Sequence, residues 1–138
     1  MERAISLIKP DAVSARKIGE IISVIEKSGF TILDIKMFKM SKEFAENFYS
    51  VHRGKHFFSG LIEFMISGPI VALLLEREDA VRYLRTIVGA TDPSQAAPGT
   101  IRRKYGTNVR RNAVHAADSN ENATREINII FGESKHPI

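Results

Sequence analysis

The apolar positions of this chain change period along its length, and each period predicts an element. Arg3 to Ile8 alternates enough to read as a strand. Lys9-Pro10-Asp11 ends it, because proline removes a ladder donor. Ile18, Ile21, Ile22 and Ile25 then fall on one helical face, with Gly29 placed as a C-terminal stop. Phe30 to Met40 alternates over its middle and predicts a second strand. Ser41 stands where an N-cap would open a helix over Lys42 to His52, and a more apolar helix follows over Phe57 to Ile66. Gly68-Pro69 breaks the chain. Ile70 to Leu75 is uninterruptedly apolar, the pattern of a buried strand, and Asp79 to Val88 is helical in pattern.

A long irregular stretch, Gly89 to Arg111, comes next and contains Pro93, Pro98, Gly99 and Gly106. A loop of this length in a compact domain is functional or disordered. The basic residues Arg102, Arg103, Lys104, Arg110 and Arg111 favour function. Ala113 to Ala117 predicts a short strand. Asp118, with Glu121 three residues on, resembles a capping box that opens a last helix through Phe131. Reduced to its core, the order is βαββαβ, an antiparallel sheet covered by helices on one face.

Composition narrows the picture. The chain has 138 residues, expected to form one domain over 1–138, and 43% of them are hydrophobic, enough for a core. With no cysteine, disulfides, zinc–thiolate sites and thiol nucleophiles are excluded. The N-terminus carries Glu2, Arg3 and Lys9 and lacks the apolar run of a signal peptide. No apolar run approaches the roughly 20 residues that span a bilayer, so a cytoplasmic protein is expected. Lys and Arg number 20 against 16 Asp and Glu, a net charge of +4, which suits an anionic partner.

The chemistry centres on RNAVHAADSNE, residues 111–121. His115 lies between small residues, with carboxylates close behind it. A neutral imidazole has a free lone pair and can attack phosphorus without a separate base. Its other nitrogen must be held by an acceptor, which Asp118, Glu121 or Glu126 could supply. A phosphate needs positive charge to receive it, and Lys9, Arg85 and Arg102 could provide that. Asn112 could place a hydroxyl. His52 and His56, four apart, could share a helical face as zinc ligands do, but no third ligand with convincing spacing is visible. His136 is expected to be solvated in a C-terminal tail.

Four segments together resemble the nucleoside diphosphate kinase family over essentially the whole chain. Asn112 to Ser119 is similar to its N-x-x-H-small-S-D signature. Ile8-Lys9-Pro10-Asp11-Ala12 resembles its K-P-D-A motif, Tyr49 to Phe58 a segment ending in a double phenylalanine, and Pro98 to Arg102 its P-G-T-I-R segment.

The resemblance implies a ferredoxin-like α+β fold, a four-stranded antiparallel sheet with helices and a long excursion loop. It implies transfer of the γ-phosphate of a nucleoside triphosphate such as ATP to a nucleoside diphosphate, in ping-pong fashion through a phosphohistidine. His115 would then be the nucleophile, with Glu126 bonded to its non-attacking nitrogen. Lys9 and the Tyr49 hydroxyl would meet the transferred phosphate, with Asn112 acting through the ribose region. Arg85, Thr91 and Arg102 would hold the remaining phosphates. Phe57 would pack on the base beside Leu61 and Val109, a mode that tolerates any base. Mg2+ would ride on the nucleotide phosphates without a protein cage. The resemblance also implies a homo-oligomer, tetramer or hexamer.

One position departs from the pattern. The family commonly has serine two residues after the histidine, and here Ala117 stands there. A reduced efficiency, not a loss of activity, is expected. Two alternatives remain open at this stage. One is a nucleic-acid-binding protein using the basic residues of the long loop. The other is a catalytically impaired scaffold of the same fold.

Overall fold

The computed structural model describes residues 1–132; His136 lies outside them. Four strands form one antiparallel sheet: β1 (Glu2–Ile8), β2 (Thr31–Phe38), β3 (Ile70–Arg77) and β4 (Val114–Ala116), in the order β2-β3-β1-β4. This is the ferredoxin-like order, with the first and third strands central.

The helices correct one expectation, since they cover both faces of the sheet. On β3, Val71, Leu73 and Leu75 enter one core while Ile70, Ala72 and Leu74 enter the other. Successive strand side chains point to opposite faces, so the unbroken apolar run Ile70–Leu75 is two alternations superposed. The first core packs α2 (Ile18–Lys27) and α5 (Ala80–Val88) through Ile21, Ile25, Val81 and Leu84. The second packs α3 (Lys42–Phe48), α4 (Phe58–Met65) and α7 (Asn120–Phe131) through Phe48, Ile62, Met65, Ile127 and Ile130. Among the described residues no helix is long and apolar enough to cross a membrane.

Four local expectations also change. Pro10 ends β1 but then starts a helix of its own, α1 (Pro10–Ser14), because its fixed φ and missing N–H suit a first helical position. The stretch from Gly89 to Arg111 is not wholly irregular: a 3-10 turn spans Pro93–Gln95, and α6 (Ile101–Tyr105) is capped by Thr100. The cap of α7 is Ser119, whose hydroxyl accepts from Asn122 N at 3.1 Å. Asp118 instead accepts from the Asn122 side chain at 2.7 Å.

The helix expected over Lys42 to His52 stops at Phe48, and a 3-10 turn carries Ser50–His52. The α3 cap is as expected, with Ser41 Oγ accepting from Phe44 N. The register then sets the site. His115 pairs with Leu7 on β1, so its side chain shares the face of the sheet on which α3 and α7 pack.

Candidate active site

His115 stands at the centre of a three-residue strand and is held from three sides. Its Nε2 lies 2.7 Å from Glu126 Oε1, where Glu126, on the inner face of α7, is only 5% exposed. An ionised carboxylate only accepts hydrogen bonds, so Nε2 carries the proton and Nδ1 keeps the lone pair. The rings of Phe48 and Tyr49 meet the imidazole edge-on, with centroids at 5.3 and 5.6 Å. Of the three candidate carboxylates, Glu126 is the one that meets the imidazole. Glu121 is exposed on the first turn of α7, and Asp118 is engaged by Asn122.

The backbone entering β4 is strained. Ala113 has φ of +74°, and Val114 N donates to Asn112 O at 2.9 Å across it. This is a γ-turn of the positive-φ kind, which costs a non-glycine residue about 1–3 kcal/mol. Both peptide groups of Ala113 are tied down, its N–H to Asp11 Oδ2 at 3.1 Å and its carbonyl to Lys9 N at 2.8 Å. The β1–α1 junction therefore fixes the turn that aims His115.

In front of the imidazole lies a cavity of roughly 450 Å³. It brings together Lys9, Tyr49, Phe57, Leu61, Arg85, Thr91, Arg102, Val109, Asn112, His115 and Glu126, from six separate regions of the chain. Lys9 is 5% exposed, and its Nζ donates to Asn112 Oδ1 at 2.8 Å. Burial, helped by the nearby Arg102 and Arg110 charges and opposed by Asp11, lowers its pKa to about 7.

Arg102 is buried too. Its guanidinium donates to Gly89 O and Val114 O, and burial followed by the charge of Arg85 lowers its pKa to about 10. Arg85 donates to Ala116 O at 3.2 Å. Three cationic groups thus converge where a polyanion would sit. Arg102 is thereby separated from the exposed Arg103 and Lys104, so the five basic residues of the long loop do not share one surface.

Two buried polar atoms at this cavity have no partner among the described residues, Tyr49 Oη and Arg102 Nε. Tyr49 is 3% exposed, and burial, then the Glu126 carboxylate, push its phenol above the usual range. Its O–H is a hydrogen-bond donor with no acceptor among the described residues. Asn112 is more fully used than expected. Its amide donates to Thr91 O and Val109 O while its oxygen accepts from Lys9, so a direct nucleotide contact is left only the second lone pair of Oδ1.

His52, His56, Asp118 and Asn122 also line the cavity. His52 stacks on Tyr49 and meets Phe57 edge-on. Burial, then Lys55 and His115, hold its pKa low. His52 and His56, spaced four apart as zinc ligands can be, instead pack their rings against Tyr49 and Phe57. Among the described residues no cluster of three or more His, Asp or Glu could hold a metal ion.

The chain matches the nucleoside diphosphate kinase family over residues 2–136. It belongs to that family. A nucleoside diphosphate kinase of Chlamydia abortus is 52% identical over 133 residues, covering 96% of this chain and 94% of the relative. One from Archaeoglobus fulgidus is 46% identical over 135 residues, covering 98% and 89%. Among solved structures, the Aquifex aeolicus nucleoside diphosphate kinase superposes with a TM-score of 0.94 at 45% identity, covering 96% of each chain. The Halobacterium salinarum enzyme, solved in complex with CDP, gives 0.92 at 38% identity, covering 96% of this chain and 88% of that one. The chain is therefore an enzyme, a nucleoside diphosphate kinase. Nucleotides are its ligands, and the family works with a divalent metal.

Proposed function

We propose that His115 is the nucleophile that carries the phosphoryl group between the two nucleotides. The supporting observation is the 2.7 Å contact of Nε2 with the buried Glu126, which leaves Nδ1 with the lone pair beside a cationic cavity. In the first half-reaction the Nδ1 lone pair forms a bond to the γ-phosphorus of a nucleoside triphosphate such as ATP. The bond to the β–γ bridging oxygen breaks and the diphosphate leaves with the electron pair. In the second, a β-phosphate oxygen of an incoming diphosphate such as GDP attacks the same phosphorus, and the P–N bond breaks. Glu126 stabilises the positive charge that grows on the ring as Nδ1 bonds to phosphorus.

The remaining residues divide the work of binding. Lys9 and the Tyr49 hydroxyl face the transferred phosphoryl group, while Arg85, Thr91 and Arg102 hold the rest of the phosphate chain. Phe57, Leu61 and Val109 form the slot for the base. Val109 is 59% exposed, as suits one wall of an open slot. Stacking on a π-face does not read base edges, so purines and pyrimidines are both accepted.

The divalent ion is magnesium, brought in on the nucleotide. Of the two carboxylates lining the cavity, Glu126 is buried against His115, whereas Asp118 is exposed and accepts from Asn122 through Oδ1 only, so Asp118 would be the one able to face the ion. When bound, magnesium neutralises charge on the phosphate oxygens. The whole chain, 1–138, acts as one domain in the cytoplasm, whose reducing conditions suit a cysteine-free sequence. It assembles as a homo-oligomer, tetramer or hexamer. Among the described residues β2 is an edge strand of the sheet, with Ile35 52% and Met37 57% exposed, which supports self-association, since an edge strand invites pairing.

The test is nucleoside triphosphate–diphosphate exchange by a His115→Ala variant whose circular dichroism and melting match the wild type. Exchange should be abolished. Near-normal exchange would remove His115 from this role.

A further inference from the structure

Two walls of the cavity come from segments far apart in sequence. Phe57 and Leu61 stand at the start of α4, and Val109 stands on the loop between α6 and β4. The residues next to these walls touch each other outside the cavity lining, at a contact where Arg110 is exposed to solvent. Gly60, inside α4, has no side chain, and the Arg110 guanidinium fills the space. A Cβ built on Gly60 would lie 2.5 Å from Arg110 Nη2, 2.6 Å from Cζ and 2.7 Å from Nη1. Glycine inside a helix is a destabilising choice, and here it permits a close approach. Neither Gly60 nor Arg110 lines the cavity itself.

The loop that carries Arg110 is stitched from its other side. Asn108 Oδ1 accepts from the N–H groups of Arg110 and Arg111, Asn112 Nδ2 donates to Val109 O, and Lys9 Nζ reaches Arg110 O at 3.4 Å. The loop is therefore anchored toward Lys9 and Asn112. It meets α4 through two side chains, Arg110 over Gly60 near the slot end of the helix and Arg111 over the Phe64 ring, 5.4 Å from its centroid, farther along.

We propose that Arg110 is a positioning residue, a clasp laid over Gly60 that sets the spacing of the base slot and orders it before nucleotide arrives. The proposal rests on the assignment of Phe57, Leu61 and Val109 to that slot. A pre-ordered slot spares the nucleotide the cost of ordering the loop on binding. The clasp acts on the wall and not on base edges, so its effect is the same for purine and pyrimidine nucleotides.

The experiment compares Arg110→Ala, Gly60→Ala, their combination and Phe57→Ala, with kcat and KM measured separately for GDP and CDP. Gly60→Ala keeps the arginine charge and pushes the guanidinium away. The displaced atoms are the end of a flexible chain, and alanine favours the helix, so the fold is retained; a thermal melt checks this. Arg110→Ala and Gly60→Ala should each raise KM for both nucleotides roughly 3- to 10-fold, the scale of ordering a loop and its side chains. In both, kcat should stay within about twofold of wild type. The combined variant should be no worse than the worse single one, because both changes break one contact.

If Gly60→Ala keeps the wild-type KM while Arg110→Ala does not, arginine acts through its charge and the clasp is overturned. Additive effects, or no effect of either change, overturn it as well. Phe57→Ala separates the two levels. An unchanged KM there removes the slot assignment itself, whereas a raised KM beside a normal Gly60→Ala leaves the slot standing without the clasp.

Discussion

Replacing Glu126 by glutamine changes one charge and almost no shape, and it isolates what the carboxylate does for His115. The contact is 2.7 Å long and Glu126 is 5% exposed, so solvent screens it little. A hydrogen bond to a charged group contributes about 1.5–3 kcal/mol net, against about 0.5–1.5 for a neutral pair. The difference, about 1–1.5 kcal/mol, is felt most as the ring gains positive charge during attack. It should therefore reach the rate almost entirely, as a loss of roughly 5- to 13-fold.

Glutamine adds a second hazard. If its amide turns so that NH2 faces the ring, Nε2 must accept and the proton moves to Nδ1, where it blocks attack. That conformer would deepen the loss and would not lessen it. The assay is the single-turnover rate of His115 phosphorylation by γ-labelled ATP, with nucleotide affinity measured in parallel. The rate should fall and the affinity should hold, because Glu126 faces the imidazole. A wild-type phosphorylation rate, or a change confined to affinity, would refute the reasoning.

Three further outcomes follow from the same geometry. Tyr49→Phe removes a buried hydroxyl with no partner among the described residues, a group that costs about 1–3 kcal/mol when unsatisfied; the variant should melt at higher temperature and transfer phosphate more slowly, and a lower melting temperature would contradict this. Lys9 has a folded pKa of about 7 against an ordinary 10.5, so between those values the unfolded chain holds a proton the folded one lacks, and wild-type stability rises with pH across that window. The stability of Lys9→Met relative to wild type should accordingly be most favourable below pH 7 and become less so toward pH 10 in urea melts; a difference that does not change with pH would contradict the buried lysine. Ala117 is buried against the cavity, and Ala117→Ser should leave turnover unchanged or raise it by at most about tenfold, the scale of one neutral hydrogen bond, whereas a collapse in turnover would refute that expectation.

Much of the fold was legible because strong periods mark long elements. The four isoleucines of α2, the capped start of α3 and the apolar run of β3 all predicted elements of the right type in the right order. The one-sided sheet was an error of interpretation: Ile70 to Leu75 has no polar face, and a strand with no polar face must be covered on both sides. Short helices escaped for a different reason. α1 and α6 have five residues each, barely more than one turn, so no hydrophobic period can develop. Pro10 and Thr100 were their audible signals, as a first-turn proline and an N-cap. From the residues alone Glu126 stood beside Asp118 and Glu121 as one of three candidates, because the choice depends on which face of α7 meets β4; only the family resemblance singled it out. The contact between Arg110 and Gly60 had no sequence signal at all, since nothing in the order of residues says which glycine a distant arginine will cover.

Every step proposed for this enzyme depends on phosphate resting on His115 between the two nucleotides. The most direct measurement mixes the protein with magnesium and γ-labelled ATP, removes free nucleotide, tests the retained label in acid and base, and then adds GDP. The label should be acid-labile and base-stable, absent from His115→Ala, and recovered as GTP when GDP is added. A folded, nucleotide-binding protein that takes no label, or holds it on another residue, would contradict it.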